Sequence, residues 1–121
     1  MTAKIALGEK FGLIAEHWRP KVVAELNGQE VKLAKLKGAF PWHRHDEVDE
    51  MFLVWRGTIR LEFRDHAVTL GPGEALVVPK GVEHRPVAAE EAEVLLFEPA
   101  GVKNTGNVDD PDFTAPQGVR I

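Results

Sequence analysis

The chain has no cysteine among its 121 residues. That excludes disulfides and thiolate ligands, so any metal it holds must be bound by nitrogen and oxygen. Long apolar runs are missing too. Stretches such as MFLVW at 51–55 are far too short to span a bilayer, and the opening MTAKIALGEKFGLIAEHW has no apolar core of signal-peptide length. A cytoplasmic protein with no membrane partner is the expectation. The 15 Lys and Arg residues stand against 19 Asp and Glu, a net charge of −4. They form no stripe that could track a phosphate backbone, so nucleic acid is not an expected partner. No internal repeat or low-complexity segment is visible.

What is present is ordinary globular composition, 44% hydrophobic and 28% charged. At this length roughly two thirds of the unfolded surface can be buried. One domain over 1–121 is expected, with a helical segment at 1–20, a strand-rich body at 21–98 and a loop-rich tail at 99–121. Leu7, Phe11, Ile14 and Trp18 fall at helical spacing, Thr2 is a possible cap and Pro20 ends the pattern. This predicts a short amphipathic helix over 4–18, weakened by Gly8 and Gly12, whose apolar stripe is a packing surface.

From residue 21 the texture changes to short segments rich in Val, Leu, Ile and Phe, broken by turn signals at intervals of about ten residues. Asn27-Gly28 between two such runs predicts a hairpin. TIRLEFR alternates, with Ile59, Leu61 and Phe63 on one face and charged residues on the other. MFLVW, ALVV and VLLF are apolar on both faces, so part of the outside must be covered. A second copy, in a homodimer, is the expected cover; the helix and tail of the same chain are the alternative.

Two of the five histidines sit in HRHDEVDE, residues 43–50. In an extended strand residues i and i+2 point the same way, so His43 and His45 would present two imidazoles from one face. Further ligands must come from elsewhere, and the chain offers Glu50 beyond the turn and His84 within PKGVEH.

These residues resemble the two motifs of the cupin superfamily, G(x)5HxH(x)3–4E(x)6G and G(x)5PxG(x)2H(x)3N. His43, His45, Glu50 and Gly57 fall in place in the first, with Gly38 one residue late. Gly73, Pro79, Gly81 and His84 fit the second, with Ala88 where the family tends to have Asn. Asp49 is at a permitted distance from His45, but the motif's glycine would then fall on Arg56, so the pattern selects Glu50. Asp46, Glu47 and Asp49 are read as a solvated turn. The likeness spans about residues 38–88. It extends to the small single-domain cupins labelled mannose-6-phosphate isomerase-like, a label that carries no function by itself. It implies an all-β fold, a double-stranded β-helix or jelly-roll barrel with a short N-terminal helix, with His43, His45, Glu50 and His84 binding a metal inside.

Three neutral imidazoles and one carboxylate around one divalent ion leave a net charge near +1 and open coordination positions. Iron, manganese, nickel, zinc and copper all suit such ligands. Phe52 and Val54 share strand parity with Glu50 and are expected to line a substrate pocket. His17 and His66 are left outside the site. No Ser-His-Asp grouping can be placed, so no catalytic residue is assigned, and Gly71-Pro72-Gly73 reads as a turn. The expected function is a metal-binding small cupin, a metal-dependent oxygenase, isomerase or lyase acting on a small organic molecule. The alternative is a non-catalytic binding or sensing module, and a purely structural metal is a third reading.

Overall fold

The computed structural model describes residues 2–121. Strand β1 (Lys21–Leu26) turns through Asn27 and Gly28, both at positive φ (52° and 77°), into β2 (Gln29–Ala39). Two left-handed residues give the hairpin twist that matches its strands, and this is why the Asn-Gly pair stands there. β3 (Glu50–Arg56), β4 (Ile59–Phe63), β5 (Ala67–Leu70), β6 (Ala75–Val78) and β7 (His84–Pro99) follow, and all pairings among these strands are antiparallel. The order is β1-β2-β7-β3-β6, with β4 bonded to β7 on one side and β5 on the other.

β7 is longer than its apolar stretch at 93–99 predicts, running 16 residues from His84. Its first part pairs with β4, from Phe63↔His84 to Arg60↔Val87, and its second with β3, from Met51↔Phe97 to Arg56↔Glu93. β2 lies alongside both parts, with a register shift between Leu36 and Gly38. One strand therefore joins both halves of a double-stranded β-helix around a core that includes Leu36, Phe52, Val54, Ile59, Leu61 and Val94. The interior is apolar because alternate residues of each strand face it, as Ile59 and Leu61 do in β4.

The N-terminal helix is shorter than the spacing predicts. α1 covers Leu7–Phe11, starts at Ala6 without a side-chain cap, and closes at Gly12. With glycines at 8 and 12, the segment follows what it can bury rather than its helical period. Phe11 and Ile14 pack on the outer face of the barrel against Leu33, with Leu95 and Ile121 beside them. Each such burial contributes about 2 kcal/mol. Trp18 does not belong to that stripe. At φ 63° it swings its indole to Phe40 (ring centroids 4.9 Å) and Phe113 (6.0 Å) and donates its N–H to the Lys37 carbonyl at 2.8 Å.

The tail forms no strand beyond an isolated bridge between Arg120 and Val22. It is held by its own polar groups instead. Asn104 donates to the Phe113 carbonyl (2.8 Å) and accepts from the Ala115 N–H (2.9 Å), and the fully buried Thr105 hydroxyl donates to the Val108 carbonyl at 2.7 Å. Helix and tail thus cover part of the outer apolar face, while Trp55 (45%), Val77 (53%) and Leu13 (65%) stay exposed. Among the described residues no helix is long and apolar enough to cross a membrane.

Candidate metal centre

The two histidine motifs are zipped together by their backbones. His43 N–H donates to the His84 carbonyl (3.0 Å), His84 N–H returns to the His43 carbonyl (2.9 Å), and Gly81 N–H donates to the His45 carbonyl (2.8 Å). Glu50 opens β3, paired with Val78 of β6. These pairings bring His43, His45, Glu50 and His84 together, each at most 6% exposed. One potential ligand atom from each lies within 4.8 Å of all the others.

The ring orientations fit a cation. His43 Nδ1 faces the Pro41 carbonyl at 3.0 Å and His84 Nδ1 the Val82 carbonyl at 2.9 Å. A carbonyl only accepts, so both Nδ1 atoms carry the proton and Nε2 keeps its lone pair. The Nε2 atoms of His45 and His84 and Oε1 of Glu50 are buried without a hydrogen-bond partner. Glu50 Oε1 stands 3.4 Å from His45 Nε2 and 3.6 Å from His84 Nε2. Ligands about 2.0–2.2 Å from a shared ion stand roughly 3–3.5 Å from each other, so the spacing is that of co-ligands. His43 is held down to about 4 by burial and by the nearby His84. It is therefore neutral, as a ligand must be. Burial alone would raise the Glu50 carboxyl, but in the metal-free protein hydrogen bonding from His45, His84 and Glu98 outweighs that and keeps it well below the usual carboxylate range.

A small cavity opens beside this cluster, with about 30 Å³ open to the centre of a water molecule. His43, Glu50 and Phe52 line it, together with groups the sequence did not place at the site: Trp18, Phe40 and Glu98. Val54 shares the parity of Phe52 but lies one pleat deeper, fully buried in the core and away from the cavity lining. Asp46, Glu47 and Asp49 are exposed, and Asp49 accepts the Lys80 N–H at 2.8 Å. His17 pairs with Glu91 (2.7 Å), and His66 stacks on Phe63 beside Asp65.

Glu98, 2% exposed at the end of β7, has one oxygen on the Lys32 ammonium (2.9 Å) and the other, Oε2, without a partner. Burial, with the charge of neighbouring Glu50, pushes its carboxyl up to about 9, although Lys32 opposes the shift. Its signal in the sequence was parity, because Val94, Leu96 and Glu98 face inward together.

The tail also reaches the ligands. Gly106 (φ 57°) lies against the backbone between His43 and His45, where a Cβ would stand 2.2 Å from the Arg44 carbonyl oxygen and 3.2 Å from His45 Nδ1. Next to it Asn107 clamps Arg44 twice, its N–H donating to the Arg44 carbonyl (3.0 Å) and its Oδ1 accepting the Arg44 N–H (2.8 Å).

Comparison with known proteins identifies the family and the fold. The family model for the cupin domain matches residues 23–98. The crystal structure of a cupin-2 domain containing protein from Shewanella frigidimarina superposes with a TM-score of 0.78 at 47% identity, over 78% of this chain and 93% of that one. A Neisseria meningitidis protein superposes with a TM-score of 0.75 at 31% identity, over 81% of this chain and 100% of that one. The uncharacterized protein YdbB of Bacillus subtilis is 36% identical over 87 residues, 63% of this chain and 77% of its own length. Family match, fold and paired motifs coincide on the same strands, and the chain belongs to the cupin superfamily.

Proposed function

We propose that His43, His45, Glu50 and His84 bind one divalent metal ion and that the cavity beside them takes a small oxygen-bearing organic molecule. The observation that carries this is the convergence of orphaned buried donors, two Nε2 atoms and a carboxylate oxygen, on one point beside a cavity with aromatic walls. A bound ion would supply Lewis acidity and, if redox-active, a route to oxygen chemistry. The protein's own part is positioning. The carbonyls of Pro41 and Val82 fix two imidazole tautomers. Phe52 and Phe40 keep water from the ligand's apolar side, and Glu50 holds negative charge beside the bound molecule.

On this reading the chain is a metal-dependent oxygenase, isomerase or lyase of small molecules. The same cavity also suits a module that retains a ligand without converting it. Metal analysis of protein purified without chelator, followed by oxygen-uptake and product screens on the loaded form, separates the two. Turnover of one compound establishes the enzyme, and tight binding without product establishes the module. A closed, ligand-insensitive metal overturns both. The exposed Trp55, Val77 and Leu13 support a homodimer, with a second copy covering what α1 and the tail leave bare.

A further inference from the structure

Outside the metal cluster the cavity is lined by two polar side chains, Asn104, whose amide is taken up by the tail backbone, and Glu98, whose Oε2 is not taken up by Lys32. That oxygen belongs to a side chain 2% exposed, has no donor facing it, and lines the same cavity as His43 and Glu50, to whose carboxylate Glu98 can bond only when it is itself protonated. The rest of that carboxylate is fixed. Oε1 takes the Lys32 ammonium at 2.9 Å, and Lys32 in turn lies 3.7 Å from Glu30, the cross-strand partner of Glu98. The free oxygen is thus presented by an anchored group at a set position relative to the metal ligands. Buried polar atoms are seldom left unpaired, and those facing a binding cavity are completed by what binds there.

We propose that Glu98 is a specificity-determining residue whose Oε2 meets a hydroxyl group of the bound molecule, at a distance from the oxygen that reaches the metal. The inference rests on the reading of the cluster as a metal site that takes small ligands. A hydroxyl is the matching group because it both donates and accepts, so it pairs with either form of a carboxyl group. The body of the molecule lies against Trp18, Phe40 and Phe52, so it is small and apolar, with a ring as the shape that faces theirs. Among the described residues no lysine or arginine lines the cavity, and its only other acidic group is the ligand Glu50. The nearest ammonium, Lys32, is already shared by Glu98 and Glu30, so a phosphate or second carboxylate at this end of the molecule would find no free cation. The class is a hydroxylated, singly charged or neutral ring compound, not a sugar phosphate.

The test uses the cobalt-loaded full chain, with benzoate, its three hydroxy isomers and the matching methoxy compounds as probes. Binding is read from the shift of the metal's visible absorption. At least one hydroxybenzoate should bind about tenfold tighter than benzoate, the worth of one net hydrogen bond. Its methoxy counterpart should not share the gain. Glu98→Leu should erase the gain, measured as a ratio to benzoate in the same protein so that changes in metal affinity cancel. Should that variant not fold, Glu98→Gln, which keeps an acceptor for Lys32, should narrow the hydroxy-to-methoxy preference. If benzoates shift the spectrum but no hydroxy isomer gains, or the gain survives both substitutions, Glu98 has no such role and its free oxygen faces water only. If no probe perturbs the metal at all, the ligand-binding reading itself falls, and this inference with it.

Discussion

Replacing Gly106 by alanine tests whether the tail holds the metal ligands in place. Two costs are separable. An L-residue at positive φ costs about 1–2 kcal/mol. Gly118→Ala, at φ 70° with nothing within 4 Å of its Cβ, measures that cost alone in the same tail. At Gly106 the new Cβ would also lie 2.2 Å from the Arg44 carbonyl oxygen, which is backbone and cannot swing aside. The loop must retreat and give up both Asn107–Arg44 hydrogen bonds, at about 0.5–1.5 kcal/mol each. The expected loss in urea unfolding at neutral pH is therefore about 3 kcal/mol, against about 1–2 for Gly118→Ala. Because Arg44 lies between two ligands, metal affinity measured by chelator competition should fall on the order of 10–100-fold, as when ligand-orienting groups are lost. Asn107→Ala should reproduce part of this, about 1 kcal/mol. If Gly106→Ala behaves like Gly118→Ala in both assays, the tail merely rests on the barrel and the clamp is not a support of the site.

Other outcomes follow from the same geometry. His45→Ala and His84→Ala should each reduce bound metal well below one ion per chain, and unchanged stoichiometry in both would remove the assignment. With free metal at a hundred times its dissociation constant, the folded state should gain about 2.7 kcal/mol, and a chelator should abolish the rise in melting temperature. In the metal-free protein Glu98 titrates near 9 when folded and 4.5 when unfolded. The folded chain then binds the extra proton across that span, and stability must fall as pH rises through it. His43, at about 4 folded against 6.5 unfolded, has the opposite slope but acts only below 6.5. The net loss should therefore show between pH 6.5 and 9, up to roughly 3 kcal/mol, and vanish in Glu98→Gln; a flat profile in the native chain would contradict it. Light scattering at micromolar concentration should give a dimer that Trp55→Glu or Val77→Glu weakens, and a monomeric native chain would refute it.

The metal cluster was legible in two steps: HxH sets His43 and His45 on one face, while Glu50 and the distant His84 were picked out by the resemblance to the two cupin motifs rather than by their own spacing. Most of the cavity was not, because its walls come from six separate stretches. Trp18 looked like the last member of a helical stripe, yet Gly12 ends the helix and the indole turns to the barrel mouth instead. Glu30 and Lys32 alternate with Val31 and Leu33, and the usual rule would turn the charged pair outward. The reverse holds because α1 buries Leu33 from outside while Glu98 receives Lys32 within. Val54 shows the limit of parity: it names the face of a strand but not the depth at which a residue sits.

The placement of β7 also fixes when this molecule can become itself during synthesis. β1 and β2 can zip as soon as they emerge, and β4 with β5 likewise, since each is a neighbour in sequence. β2, β3 and β4, however, all wait for one strand that begins at residue 84. Until then the growing chain carries unpaired strand edges and apolar faces, the condition in which non-local β-structures are slow and open to wrong partners. The clamp on Arg44 comes later still, from residues 106 and 107. A ribosome that has made about two thirds of this protein has made hairpins; the last strand and the tail turn them into a barrel with a formed site.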